Sequence, residues 1–251
     1  MSGHSHWAGI KHKKALVDAK RGKLWSRLAK AIILAAKSGG DPDMNLRLRY
    51  AIDDAKAVSM PKENIQRAIK RGTGELAGGN LEEVMYEGYG SGGVAVLCEV
   101  LTDNRNRTAG EIRKIFELAD GKLGSTGCVA WMFESKGLFL IPGDAMDEDK
   151  LMELALEAGA DDVQSTDDGK LEVTCNPTAY RDVGKRLADA GITPEASDLT
   201  RIAQNMVDVT DPDAARRVLR LIEQLDDHDD VQNVSSNFNI PKAVMEAIGE
   251  E

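Results

Sequence analysis

The chain has 251 residues, 42% of them apolar, 29% charged and only 4% aromatic, a globular composition that excludes a disordered or collagen-like chain. Its formal charge of −10 is unevenly spread: residues 1–71 hold 16 Lys and Arg against 6 Asp and Glu, and the other 180 residues hold 16 against 36. A basic head on an acidic body predicts a polyanion-binding module joined to a solubilising one.

The first 80 residues read as helical. Residues 11–37 contain no proline and end at Ser38-Gly39-Gly40, a helix stop. At about 100° per residue, Leu24, Leu28, Ile32 and Ala35 share one stripe, while Lys20, Lys23, Arg27, Lys30 and Lys37 fall on another. This helix can bury one face and present a row of cations on the other. Asp41-Pro42-Asp43 offers a cap, a second helix is expected over 44–58, and a third runs from Met60-Pro61 to Gly72. Lys70 and Arg71 lie in its last turn, where the macrodipole favours cations, which discounts them as ligand contacts. GTGELAGGN (72–80) reads as a linker.

Beyond it the pattern becomes mixed. GGVAVLCEVL (92–101) reads as a strand and RTAGEIRKIFELAD (107–120) as a helix with Ile112, Ile115, Phe116 and Ala119 on one face. GCVAWMFES (127–135) and GLFLIP (137–142) read as two strands joined by a tight turn. A helix (147–158), strands at 161–165 and 170–175, a helix after Asn176-Pro177 and a strand at 203–209 follow. A helix over 212–225 and a last strand over 230–240 end the pattern. Asp161-Asp162-Val163-Gln164 and Asp229-Asp230-Val231-Gln232 each follow a helix, an echo that predicts two split βαβ units of ferredoxin-like type. The expected fold is α+β and multi-domain: a basic helical domain (1–80), an α/β domain (81–136 with 206–241), a second α/β domain inserted in it (137–205) and a C-terminal tail (242–251).

No catalytic constellation emerges. GYGSGG (88–93) precedes a strand and lacks the G-K-[ST] of a nucleotide loop, so it reads as a hinge or flexible loop. Tyr86 and Tyr89 beside it could instead stack on bases or meet a partner. The acidic pairs do not converge on a helix, and His228 among Asp226, Asp227, Asp229 and Asp230 reads as a solvated turn. His4, His6 and His12 on a terminal arm lack the fixed geometry of a metal site. The same arm carries Trp7, Lys11, Lys13 and Lys14, which suits ordering on nucleic acid as well as a frayed terminus. Arg105 and Arg107 stand at the start of a helix, with Asn106 or Thr108 as its cap. They could fork a phosphate or simply neutralise nearby acids. The expectation is no metal, no cofactor, no small-molecule substrate and no enzymatic activity.

Three cysteines (Cys98, Cys128, Cys175) without a C-x-x-C argue against a disulfide framework or zinc knuckle and fit a reducing compartment. No stretch is long and apolar enough to span a membrane, and MSGHSHWAGIKHKK has no apolar signal region, so a cytoplasmic protein is expected.

GHSHWAGIKHKKA, DAKRGKLWSRL, MPKENIQRAIKRGTGEL, YEGYGSGGVAVLCEVLTDNRNRT and GKLGSTGCVAWMFESKG together closely resemble the YebC family over nearly the whole chain. His6 stands where the family usually has Lys, and Ser91 where Pro is common. The resemblance implies three domains, one nested in another, and a cytoplasmic non-enzyme that controls gene expression. It implies either a DNA-binding transcriptional regulator or a ribosome-associated, RNA-binding translation factor. A mitochondrial relative is a translational activator for cytochrome c oxidase. Lys11, Lys13, Lys14, Lys20, Lys23, Arg27, Lys30, Arg105 and Arg107 are the expected nucleic-acid contacts, with Trp7, Tyr86 and Tyr89 as the stacking or partner group. The partner is promoter DNA or ribosomal RNA, read by shape, since no recognition helix is evident.

Overall fold

The computed structural model describes residues 19–77, 81–166 and 169–249, with side chains from residue 22 to 248 apart from the two interruptions. The described chain is mixed α and β, with eight helices and mainly antiparallel sheets. The expectations for Trp7, Lys11, Lys13, Lys14 and the Lys20 side chain lie outside this description.

The head is three helices: α1 (Ala19–Ala36), α2 (Leu46–Ala57) and α3 (Lys62–Gly72). Its core of Ile32, Ala35, Ala36, Leu48, Ile52, Ile65 and Ala68 is rich in alanine, which lets the helices approach closely. Gly72 marks the tightest point, because a Cβ there would sit 2.4 Å from the Ile33 carbonyl oxygen. The cap of α2 is Asn45 rather than the 41–43 turn. Its Oδ1 accepts from Leu48 N at 3.1 Å, and its Nδ2 donates to the carbonyls of Ala35 and Gly39, so one side chain ties the end of α1 to the start of α2.

The first sheet has strand order β3-β1-β2-β9, built from β1 (Glu82–Tyr89), β2 (Ala95–Thr102), β3 (Lys122–Leu123) and β9 (Val231–Ser236). Neighbours are antiparallel throughout. Helices α4 (Arg105–Leu118) and α7 (Pro212–Asp226) cover one face, where Val96, Cys98, Val100, Ile112, Phe116, Val218 and Leu221 form the core. The other face of β2 packs Ala95 and Leu97 on Val129, Phe133 and Ala203. β2 is therefore covered on both sides, which explains its unbroken apolar run.

The second sheet comprises β4 (Phe133–Ile141), β5 (Ala160–Ser165), β6 (Leu171–Cys175) and β7 (Ala196–Ala203), in the order β5-β6-β4-β7. α5 (Glu148–Glu157) follows β4, and α6 (Tyr180–Asp189) follows β6. Each helix connects strands that lie one apart in the sheet, which is the split βαβ pairing. A short parallel pair, β8 (Val207–Asp208) with β10 (Phe238–Asn239), closes the chain near the first sheet. The last segment, expected as a tail, contains α8 (Lys242–Gly249), whose Val244 and Ile248 pack on the first core.

Two strand expectations are corrected, and one strand is added. GCVAWMFES and GLFLIP are not two strands: 130–132 is a 3-10 turn and β4 runs unbroken from 133 to 141. β7 at 196–203 carries little strand signal in its own sequence, because EASDLTRIA has little apolar alternation; its pairing with β4 over eight residues supplies the order instead. The expected strand over 203–209 shrinks to two residues. GYGSGG spans the end of β1 and the β1–β2 turn: Tyr89 ends β1, Gly90 N donates to Val94 O at 2.8 Å, and Gly92 and Gly93 take positive φ to turn the hairpin.

Candidate nucleic-acid interface

Lys23, Arg27 and Lys30 of the cationic row line up on α1 as the periodicity requires, but these three do not face open solvent. Lys23 donates to the Asp227 carbonyl and lies 3.3 Å from Asp227 Oδ1. Arg27 donates to the Asp226 carbonyl and to Asp226 Oδ1 at 3.3 Å. Lys30 donates to Asp229 O at 2.9 Å and to Asp230 Oδ1 at 2.6 Å. One face of α1 is thus seated on the end of α7 and the acidic turn after it. The location has a physical reason. The C-terminus of a helix carries exposed carbonyls and partial negative charge, and 226–230 adds four carboxylates.

Asp230 is the node of this seam and is only 4% exposed. Oδ1 takes Lys30; Oδ2 takes Arg107 Nη2 at 2.6 Å, Thr108 Oγ1 at 2.8 Å and Thr102 Oγ1 at 3.1 Å. Burial by itself would push this carboxyl up, but the bonds from Lys30, Arg107 and Thr108 and the Lys30 charge hold it well below the usual carboxylate range. Arg107 also meets Asp103 at 3.2 Å and Glu111 at 3.8 Å, so of the two readings of this arginine the neutralising one describes its contacts. Arg105 is exposed and has no ion pair among the described residues. The cap of α4 is Asn104, which accepts from Arg107 N, rather than Asn106 or Thr108.

His228 is not a solvated turn residue. Its Nδ1 accepts from Asp230 N at 3.1 Å and its Nε2 meets Glu111 Oε2 at 2.9 Å. Glu111, His228 and Asp230 each bring a potential ligand atom within 4.8 Å of the others. Lys30 and Arg107 already occupy Asp230, and two cations beside the trio oppose a third positive charge.

Among the described residues of the head, cations without an ion pair lie on α3. Lys62, Arg67, Lys70 and Arg71 are exposed, and none has an ion-pair partner among the described residues. Arg67 and Lys70 share the face opposite Ile65 and Ala68 with Gln66 and the acid Glu63, while Lys62 and Arg71 stand at its two edges. The macrodipole explanation for Lys70 and Arg71 stands, but it leaves their charge available. Sequence reading missed this face because the α1 row is longer and more regular.

The aromatic residues divide. Tyr86 is buried in the first core and its hydroxyl donates to the Arg105 carbonyl at 3.2 Å, so it cannot stack on a partner. Tyr89 is partly exposed and donates to the Cys128 carbonyl at 3.2 Å. Trp131, which the sequence did not single out, donates its indole N–H to the same carbonyl at 3.1 Å and is 66% exposed. The turn holding that carbonyl is fixed from below by Glu87. Its buried carboxylate accepts from the backbone N–H groups of Gly127, Val129 and Ala130 at 2.6, 2.8 and 2.8 Å. Burial raises the Glu87 pKa, but these three bonds outweigh it and the net shift is downward. Cys98, Cys128 and Cys175 are free, and burial pushes the thiols of all three up, away from the reactive thiolate.

α2 joins the head to the second sheet. Arg181 of α6 stacks 4.5 Å from the Tyr50 ring centroid and pairs with Asp53 at 3.2 Å. Nearby, the Asp54 carboxyl is pushed up to about 6, first by loss of hydration and then by the charges of Asp198 and Asp53.

The arrangement is that of an α+β protein whose cationic helical head docks on an acidic body. Residues 5–75 match the TACO1/YebC protein N-terminal domain and residues 81–238 match the TACO1/YebC second and third domain. The chain belongs to the TACO1/YebC family. A protein of Rhodopirellula baltica named a probable transcriptional regulatory protein is 60% identical over 242 residues, covering 96% of this chain and 98% of that one. A Geobacter sulfurreducens protein of the same description is 53% identical, covering 99% and 100%. The crystal structure of a conserved hypothetical protein from Aquifex aeolicus superposes with a TM-score of 0.83 at 46% identity, over 94% of this chain and 98% of that one. No helix among the described residues is long and apolar enough to cross a membrane.

Proposed function

We propose that this protein is a non-enzymatic, nucleic-acid-binding regulator of gene expression acting in the cytoplasm, with DNA as its polymer. The observation that carries the reading is the exposed side of α3, where Arg67 and Lys70 flank Gln66 and Lys62 and Arg71 stand at the edges, none with an acid partner among the described residues. Two cations on this face and two at its edges supply phosphate contacts, which give affinity and salt dependence. Gln66 and Arg67 are residue types that read base edges in a major groove. The names of the relatives as probable transcriptional regulatory proteins support the same reading. In this proposal the chain comprises the helical head (1–80), the α/β unit of 81–136 with 206–241, and the inserted unit 137–205.

One observation favours a second reading, a ribosome-associated translation factor. Trp131 and Tyr89 are exposed rings pinned to one carbonyl, and unstacked bases of folded RNA seat on such rings.

The test is binding of a labelled DNA duplex and a labelled RNA hairpin by fluorescence anisotropy across salt concentrations. Changing Lys62, Arg67, Lys70 and Arg71 together to Glu should weaken duplex binding at least about tenfold and flatten the salt slope, with helix content unchanged. Unaltered affinity removes α3 from the mechanism. Hairpin binding that survives while duplex binding is absent selects the RNA reading.

A further inference from the structure

We infer that the face of α1 buried against the 226–230 turn is a second, covered phosphate-binding surface, and that the acidic turn occupies it as a stand-in for a nucleic-acid backbone. The inference rests on the polyanion-binding reading above and concerns different residues. Lys23, Arg27 and Lys30 lie at spacings of four and three on one helix face, a row about 10 Å long. What they hold is a dense strip of oxygens: the carbonyls of Asp226, Asp227 and Asp229 and the carboxylates of Asp226, Asp227 and Asp230. A phosphodiester strand offers the same chemistry, closely spaced anionic oxygens with no shape demand beyond a line.

The fit to the turn is incomplete at one atom. Arg27 uses its two terminal nitrogens on Asp226, while its buried Nε has no acceptor. A phosphate commonly takes a guanidinium through two parallel N–H bonds, and it would satisfy the edge the turn leaves open. The outer part of the seam is also the more exposed part. Asp227 is well exposed, and the Lys23 and Arg27 contacts to carboxylate oxygens are both 3.3 Å. The inner part, Lys30 on Asp230, is short and buried. A polyanion already held on α3 would raise the local phosphate concentration at α1 and peel the seam from its Lys23 end.

The test uses the full-length protein with Asp226→Asn and Asp227→Asn, which keeps the carbonyl contacts and the Asp230 node. A labelled DNA duplex should bind this variant roughly tenfold tighter than the unmodified protein, with a steeper salt slope. Adding Lys23→Glu and Arg27→Glu should cancel the gain. Adding the four α3 reversals instead should leave residual duplex binding that depends on Lys23 and Arg27. Hydrogen exchange supplies an independent readout: saturating duplex should accelerate exchange at 226–231 in the unmodified protein. Equal or weaker affinity in the Asn variant, or unchanged protection of 226–231 with duplex bound, overturns the covered site while leaving α3 binding intact. Absence of binding by every variant overturns both readings.

Discussion

Lys30 and Asp230 are 200 residues apart in sequence and meet at 2.6 Å, joining the first described helix to the start of the strand β9. The carboxylate they share with Arg107, Thr102 and Thr108 sits where head, α4 and α7 converge. A buried acid with two cations and two hydroxyls is stable only as a complete set, because each partner offsets the desolvation of the others.

Asp230→Ala leaves Lys30 and Arg107 facing each other without their shared anion. It should cost about 3–5 kcal/mol of stability. Urea denaturation checks this. Thr108→Val removes one neutral hydroxyl and should cost only about 1 kcal/mol; equal losses in the two variants would contradict the node.

The pH response of Asp54 has a definite sign. Its folded pKa of about 6 lies above the ordinary value of 3.8, so the folded state holds the proton more tightly. Its contribution is fully present below the ordinary value and is lost as pH rises through about 6. Asp54→Asn should therefore raise the urea midpoint at neutral pH and flatten the profile between those two values. An Asn variant with an unchanged profile would assign the slope to other groups.

Glu87 behaves oppositely. Its folded pKa is depressed, so its stabilising effect is present above the ordinary Glu value and fades as pH falls through the lower folded one. Glu87→Gln keeps one acceptor oxygen for three N–H groups and should cost about 2 kcal/mol at neutral pH. The 127–130 amides should then exchange faster, with the protein otherwise folded.

Trp131→Ala should change stability by no more than about 0.5 kcal/mol, because the ring is mostly in water. If the rings seat bases, the same change should weaken binding to an RNA hairpin by roughly tenfold or more. Tyr86→Phe, which loses only a buried hydroxyl bond to Arg105 O, should leave that affinity alone.

Much of this was legible beforehand. The three head helices, the α4 and α7 faces and the strands at 160–165 and 231–236 follow from local periodicity and caps, which a chain carries in consecutive residues. The charge dipole was legible too, as was the α1 cationic row as a row. Sequence could not assign its occupant. Spacing puts Lys23, Arg27 and Lys30 on one face, but the acids that meet them lie about 200 positions away. Only folding α7 against the first sheet brings that turn to α1. The same holds for Tyr86 and Trp131. Both are aromatic residues in segments of mixed pattern, and burial by α4 removes one from solvent while the Glu87-held turn leaves the other exposed. Residue type and period are properties of the segment. Which face meets water and which cation stays unpaired are properties of neighbours, and those are chosen by the tertiary structure.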